Sequence, residues 1–218
     1  GYISIIKSLL QKRKAIYLTP LKALAEEKYR DLKNLEKLGY KVSISTGDYD
    51  KVDRGLYKSD IIVCTYEKFD SLIRHDRNLL ELGGTLVADE VHMIGDPERG
   101  PTLEVALTKV LINGGYQIVG LSATMPNGED IAKWLNAEYI YTEWRPVQLY
   151  KGIYYSGTIF LYDGSELMER IEIDKKDVGG LIEHFLENKG QALIFVNSRS
   201  RAESFANKIT HITSKYVD

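Results

Sequence analysis

Residues 85–92 read TLVADEVH, and this stretch decides the fold. Thr85 to Ala88 is a short apolar run of strand type that stops in two consecutive carboxylates, Asp89 and Glu90, with His92 two positions further on. A buried strand ending in an acid pair suits metal–nucleotide chemistry. The first acid can hold Mg²⁺, commonly through water, and the second can orient or deprotonate an attacking water. The plain alternative is acidic capping of the helix that follows. Some 30 residues on, a second apolar strand, Tyr116 to Leu121, runs into Ser122-Ala123-Thr124. Its two short hydroxyls can bond the carboxylates or His92 and relay nucleotide state, or can simply cap a helix.

Working outward, strands and helices alternate. Tyr2 to Leu10 carries its apolar residues at helical spacing. KAIYLT (14–19) is a strand closed by Pro20, Leu21 to Leu38 an amphipathic helix, and Lys41 to Ser45 a strand turned by Thr46-Gly47-Asp48. DIIVCT (60–65) is almost wholly apolar, and helices are predicted through Leu72-Ile73, over 101–111 and over 131–135. Near-continuous apolar strands separated by helices mean a parallel sheet covered on both faces. The pattern changes at Trp144-Arg145-Pro146. Residues 147–162 look extended, Asp163-Gly164 is a hairpin signal, and 166–173 can pair back. A helix over 178–188, a strand ALIFVN (192–197) and a helix over 200–209 read as the opening of a second α/β unit. The expected domains are therefore 1–145 and 146–218.

Composition narrows the class. The charged fraction is 28% and the net charge −2, so the total does not announce a nucleic-acid binder, but binding needs only a local basic track. The first 38 residues are the most basic part. The single cysteine, Cys64, excludes a disulfide framework, and one cysteine with four histidines gives no zinc spacing. No apolar run approaches a membrane span and no secretory signal pattern is read, so a reducing, cytoplasmic setting is expected.

In open α/β sheets, functional groups collect at the carboxyl ends of strands. Here those ends are Thr19-Pro20, Ser45-Thr46-Gly47, Thr65-Tyr66-Glu67, Asp89-Glu90, Ser122-Ala123-Thr124 and Asn197-Ser198-Arg199. One polar end means little. Six in succession suggest a long cleft that reads an extended or phosphorylated partner. Thr19 with the following helical turn, Thr46-Gly47 and Thr65 can each offer hydroxyls and backbone N–H groups to phosphate, or serve as ordinary turns and caps.

These motifs resemble, in order, those of the Ski-two-like superfamily-two DExH helicases, most of all the archaeal branch that acts at stalled replication forks. The resemblance rests on TPLKALAEEKY (19–29), STGDYD (45–50), TYEKFDSLIR (65–74), DEVHMIGDPERG (89–100), LSATMPN (121–127), WRPVQL (144–149) and ALIFVNSR (192–199). It implies a RecA-like α/β fold of P-loop NTPase type: a first domain without its N-terminal part, followed by the start of a second. It also implies ATP and Mg²⁺ as cofactors and single-stranded or forked DNA as partner, RNA being the alternative. The activity implied is ATP-driven 3′–5′ translocation by a monomeric motor in repair or restart of replication forks. By resemblance, Asp89 and Glu90 are the Walker B acids, with Asp89 holding Mg²⁺ through water. His92 then couples nucleotide to strand, and Ser122 and Thr124 link hydrolysis to movement. Thr19, Pro20, Lys22, Thr46, Gly47 and Thr65 hold the nucleic-acid backbone, and Asn197, Ser198 and Arg199 open the second domain's share of the cleft. Arg99 and Gly100 lie in a shared stretch without an assigned role.

No G-x-x-x-x-G-K-[ST] occurs in the sequence. In the family that loop opens the helix whose tail resembles Tyr2 to Leu10, so the chain is expected to begin just after it and to lack nucleotide turnover by itself. It is likewise expected to stop before the second domain's later motifs. The strands ending at Asp89 and Ser122 are then expected to lack a neighbour in the sheet. A non-catalytic binding module with a degenerate motor core is the rival of another class, and the intact acid pair and S-A-T argue against it.

Overall fold

Strand β1 (Lys14–Thr19) sends alternate side chains into two different cores. Ile16 and Leu18 belong to one, Ala15 and Tyr17 to the other, and all four are buried. That alternation, with apolar residues on both faces, is what a central strand covered on both sides requires. The computed structural model describes residues 1–47, 56–123 and 125–216. The chain divides into two compact units, Gly1–Tyr141 and Thr142–Asp218.

The first unit is built on a five-stranded parallel sheet. Its other strands are β2 (Val42–Ser45), β3 (Ile61–Thr65), β4 (Gly84–Ala88) and β5 (Tyr116–Gly120), in the spatial order β2-β3-β1-β4-β5. Helices α1 (Tyr2–Leu10) and α2 (Lys22–Leu32) cover one face, where Ile5, Leu9, Ala25 and Leu32 meet Tyr17, Val63 and Val87. Helices α3 (Tyr66–His75), α4 (Asn78–Glu81) and α5 (Gly100–Asn113) cover the other, where Phe69, Leu72, Leu103 and Leu107 meet Ile16, Leu18, Ile62 and Leu86. A short α6 (Gly128–Trp134) adds Ile131 to this second core. The helical reading of 21–38 is divided: α2 ends at Leu32 and 33–38 continues as 3₁₀ helix, stopped by Gly39 at φ 89°.

The expectation of a gap beside the strand ending at Asp89 is corrected. β4 is paired on both sides, Leu86 standing opposite Ile16 of β1 and Ile118 of β5. The sheet has no internal break, because β5 takes the place beside β4. Among the described residues the sheet's two edges are β2 and β5, and β5, the strand leading to Ser122, has side chains that are partly buried or exposed.

In the second unit, β6 (Lys151–Tyr155), β7 (Thr158–Asp163) and β8 (Glu166–Glu172) form an antiparallel meander. The predicted turn at Asp163-Gly164 joins β7 to β8. A further turn at Ser156-Gly157, with both φ values positive, splits the stretch read as one extended run. Helices α7 (Val178–Glu187) and α8 (Arg199–Thr213) follow. The strand predicted over 192–197 does not form. No partner strand lies beside it among the described residues, and Leu193 and Phe195 are 82% and 86% exposed. An apolar run becomes a strand only by pairing.

Candidate functional site

Because all five strands are parallel, their carboxyl ends share one rim, and the spatial order sorts the predicted residues along it. Reading across, the ends are Thr46-Gly47 after β2, Thr65 of β3, Thr19-Pro20 of β1, Asp89-Glu90 after β4 and Leu121-Ser122 after β5. The hydroxyl and glycine residues thus occupy the β2-β3-β1 half and the acids the β4-β5 half.

A groove of about 470 Å³ opens over the first half, lined by Pro20, Lys22, Thr46, Gly47, Thr65 and Arg99, with Leu21, Ala23, Glu67 and Lys68 beside them. Five of the six residues proposed from this unit for a nucleic-acid backbone therefore meet on one concave surface. Thr19 is the exception: it is fully buried and its hydroxyl donates to the Leu21 carbonyl at 3.1 Å. Thr65 lines the groove and also caps α3, its hydroxyl accepting from the Lys68 amide at 3.3 Å. The capping and functional readings coexist there. Lys22 stands exposed at the first position of α2, where N–H groups lack helical partners.

In the other half the acid pair is held by several independent bonds. One oxygen of Asp89 accepts from the Tyr17 hydroxyl at 2.8 Å and the other from the Glu90 amide at 3.1 Å. Glu90 adopts the left-handed conformation, φ 56° and ψ 43°, unfavourable for a side chain with a Cβ. It is fixed there on both sides. The Val91 amide donates to Leu121 O at 2.8 Å, the Met93 amide donates to Glu90 O at 2.9 Å, and the Tyr66 hydroxyl donates to Asp89 O and, at 3.3 Å, to Glu90 O. The Glu90 carboxylate comes within 3.3 Å of His92 Nδ1, and the same nitrogen shares a hydrogen bond of 3.1 Å with the Ser122 hydroxyl. Glu90, His92 and Ser122 are thus connected, while Thr124 lies outside the described residues, as does Asp48 of the turn after β2.

Tyr17 sits in the core under α1 and α2, Tyr66 in the core under α3 and α5. The two phenols reach the acid pair from opposite faces of the sheet. Both ionise far less readily than a free tyrosine. For Tyr17 the cause is burial, then the hydrogen bond to Asp89 and its charge. For Tyr66 it is burial, then the charges of Asp89 and Glu90. They are donors at any physiological pH.

Arg99, unassigned from sequence, ties the groove together. Its Nη1 donates to the Pro20 carbonyl at 2.8 Å and its Nε stands 4.0 Å from Glu67. Its own amide donates to Asp96 at 2.8 Å, and this bond with that from Glu98 holds the Asp96 carboxyl below the usual carboxylate range. Tyr17 carried no functional signal in sequence, and Tyr66 and Glu67 stood out only as part of a polar strand end, since their partners lie 72, 23 and 32 positions away. In the second unit Ser198 caps α8 by accepting from the Arg201 amide at 3.3 Å, between exposed Asn197 and Arg199.

No cluster of three or more metal-ligating side chains occurs among the described residues, and none of their helices is long and apolar enough to cross a membrane. Asp89 nevertheless fits the first-acid role. Each of its oxygens receives one donor and keeps a lone pair, and Mg²⁺ is commonly held by one or two carboxylates with substrate phosphates rather than by a protein cage.

Comparison with known proteins gives a consistent picture. The family model for DEAD/DEAH box helicase matches residues 2–131. "ATP-dependent DNA helicase Hel308" of Pyrococcus abyssi is 46% identical over 99% of the chain, which spans 29% of that protein. The protein of the same name from Thermoplasma volcanium is 42% identical over 97% of the chain, which spans 31% of it. Among solved structures, that of the "DUF1998 helicase MrfA" superposes with a TM-score of 0.66 over 97% of the chain at 20% identity, a likeness of fold. The chain spans a third or less of the length of each.

Proposed function

Because the chain belongs to the DEAD/DEAH box helicase family, we propose that it is part of the motor of an ATP-dependent DNA helicase. In this reading one rim of one sheet holds a single nucleic-acid strand in its β2-β3-β1 half and performs nucleotide chemistry in its β4-β5 half. The observation that carries the proposal is the sorting of the predicted residues along that rim, with groove and acid pair on neighbouring strands β1 and β4.

The strand would lie along the groove with its phosphates toward Lys22, the hydroxyls of Thr46 and Thr65, and the free N–H groups where α2 begins. Such contacts position a backbone without reading bases. Thr19 and Pro20 shape the wall through Leu21 O and Arg99 rather than through a hydroxyl aimed at the strand. Asp89, with its carboxylate oriented by Tyr17 and its neighbour's amide, would hold Mg²⁺, through water, against the phosphates of ATP. Bound there, the ion would neutralise charge developing on the transferred phosphoryl group. Glu90 would orient the attacking water and accept its proton. His92 bridges Glu90 to Ser122, so a change at the acid pair is felt at the end of β5, and Thr124 would extend that link. Asn197, Ser198 and Arg199 are proposed as the second domain's contribution, with 1–145 as a first RecA-like domain lacking its phosphate-loop strand and 146–218 as the start of a second.

The DNA substrate follows the relatives' printed names. Translocation in the 3′–5′ direction, a role at forked DNA in replication-fork repair, a monomeric state and a cytoplasmic location complete the proposal. The test is ATP turnover by the full-length protein with single-stranded DNA, single-stranded RNA or neither. Stimulation by DNA and its loss in Glu90→Gln, with ATP binding retained, are expected. Equal turnover in all three conditions, or a Glu90→Gln protein of near-normal rate, would remove the proposal's basis.

A further inference from the structure

The rim raises a question that the acid pair alone does not answer: what connects the groove to it. The side chain placed to do so is Tyr66. Its backbone follows directly on Thr65, which lines the groove and caps α3. Its neighbour on the other side, Glu67, also lines the groove and faces Arg99. Its ring is fully buried among the residues beneath α3 and α5, so it cannot swing away without opening that core. Its hydroxyl ends on the carbonyls of Asp89 and Glu90.

The carbonyl of Glu90 belongs to a residue in the left-handed region. A non-glycine residue stays there only where its surroundings over-determine the conformation. The conformation sets the direction of the Glu90 side chain, hence its 3.3 Å approach to His92. A small shift of the 65–67 turn, such as a phosphate drawing on Thr65 and the start of α3 would cause, moves the Tyr66 hydroxyl against both carbonyls.

We propose that Tyr66 is a positioning residue that transmits occupancy of the groove to the backbone of the acid pair. It touches neither ATP nor the strand and acts through Asp89 and Glu90. The inference rests on the reading of groove and acid pair given above, and adds the connection between them.

The experiment uses the full-length protein and three forms: unaltered, Tyr66→Phe and Glu90→Gln. Phenylalanine keeps the packed ring and removes only the hydroxyl. ATP turnover is measured with and without saturating oligothymidylate, and oligothymidylate affinity by fluorescence anisotropy. The deciding quantity is the ratio of stimulated to unstimulated turnover. A variant that is partly unfolded loses both rates in proportion and leaves the ratio unmoved, so the ratio separates positioning from mere stability. We expect Tyr66→Phe to lower the ratio about tenfold, the effect of losing one buried hydrogen bond that tightens when the groove is occupied. Affinity for the oligonucleotide should stay within about threefold, since such contacts position the backbone elsewhere in the groove. An unchanged ratio in Tyr66→Phe, with Glu90→Gln inactive, overturns the inference and leaves the proposed function standing. Undiminished turnover in Glu90→Gln refutes the reading of the acid pair, and this inference with it.

Discussion

Gly100, the first residue of α5, tests whether the packing that supports the site is as tight as it looks. A Cβ built on it would lie 2.2 Å from the carbonyl oxygen of Ile94 and 3.3 Å from that of Met93, both backbone atoms. Real Cβ contacts essentially never fall below 3.0 Å, so Gly100→Ala demands a displacement of about 0.8 Å. No side-chain rotation can relieve it. What must move is the 3₁₀ segment Val91–Gly95, which carries His92 and directly follows Glu90. Forcing extra volume into a packed site costs about 1–3 kcal/mol, which for a cooperative unit of this size lowers the unfolding midpoint by roughly 2–12 °C. Gly95, five residues away, is the internal control. Nothing lies within 4 Å of its added Cβ, and its φ is not in the left-handed region. Gly95→Ala should therefore change stability by less than about 1 kcal/mol and in either direction. Calorimetry on the two variants decides the matter. Equal midpoints for Gly100→Ala and Gly95→Ala would show that the α5 junction yields freely, and the account of a rigid support for His92 would fall.

Other outcomes follow from the sequence and the fold. The 218 residues alone, lacking G-x-x-x-x-G-K-[ST], should release no phosphate from ATP above a buffer blank. Release that Glu90→Gln abolishes would refute this. Nucleic-acid binding should weaken steeply with salt and vary little with base sequence, and Lys22→Ala should flatten the log–log salt slope by about one. A marked sequence preference at fixed salt would contradict a backbone groove. Burial pushes the Cys64 thiol up from 9.0 to about 12, so the folded chain keeps a proton that the unfolded chain gives up. That contribution is fully present below pH 9 and fades as pH rises toward about 12. Cys64→Ala should show a shallower alkaline loss of stability in chemical denaturation, and identical slopes would argue against a buried thiol.

Much of the first unit was legible because its strands are apolar on both faces. KAIYLT, DIIVCT and TLVA can hardly be anything but central parallel strands once helices separate them. The acid pair was legible for the same reason, standing where an apolar strand stops. Residues 192–197 have the same apolar character and form no strand among the described residues, because a strand is a property of a pair and periodicity describes one member. The Ser156-Gly157 turn was missed although Ser-Gly is a turn signal: the flanking aromatics made 147–162 look continuous. The bonds that organise the site were the least legible. Arg99 reaches Pro20 across 79 positions, and Tyr17 reaches Asp89 across 72. Such contacts are created by strand order, β1 lying beside β4, which the chain order does not reveal.

The central claim is that the strand occupies the groove at the ends of β2, β3 and β1, and photo-crosslinking tests it most directly. A benzophenone amino acid replaces Lys22, which lines the groove, or Ile112, which is 79% exposed on α5 and does not line it. Each full-length protein is irradiated with labelled single-stranded DNA. The account predicts a DNA adduct from position 22 and none above background from position 112. Adducts of equal yield at both positions, or at 112 alone, would contradict it.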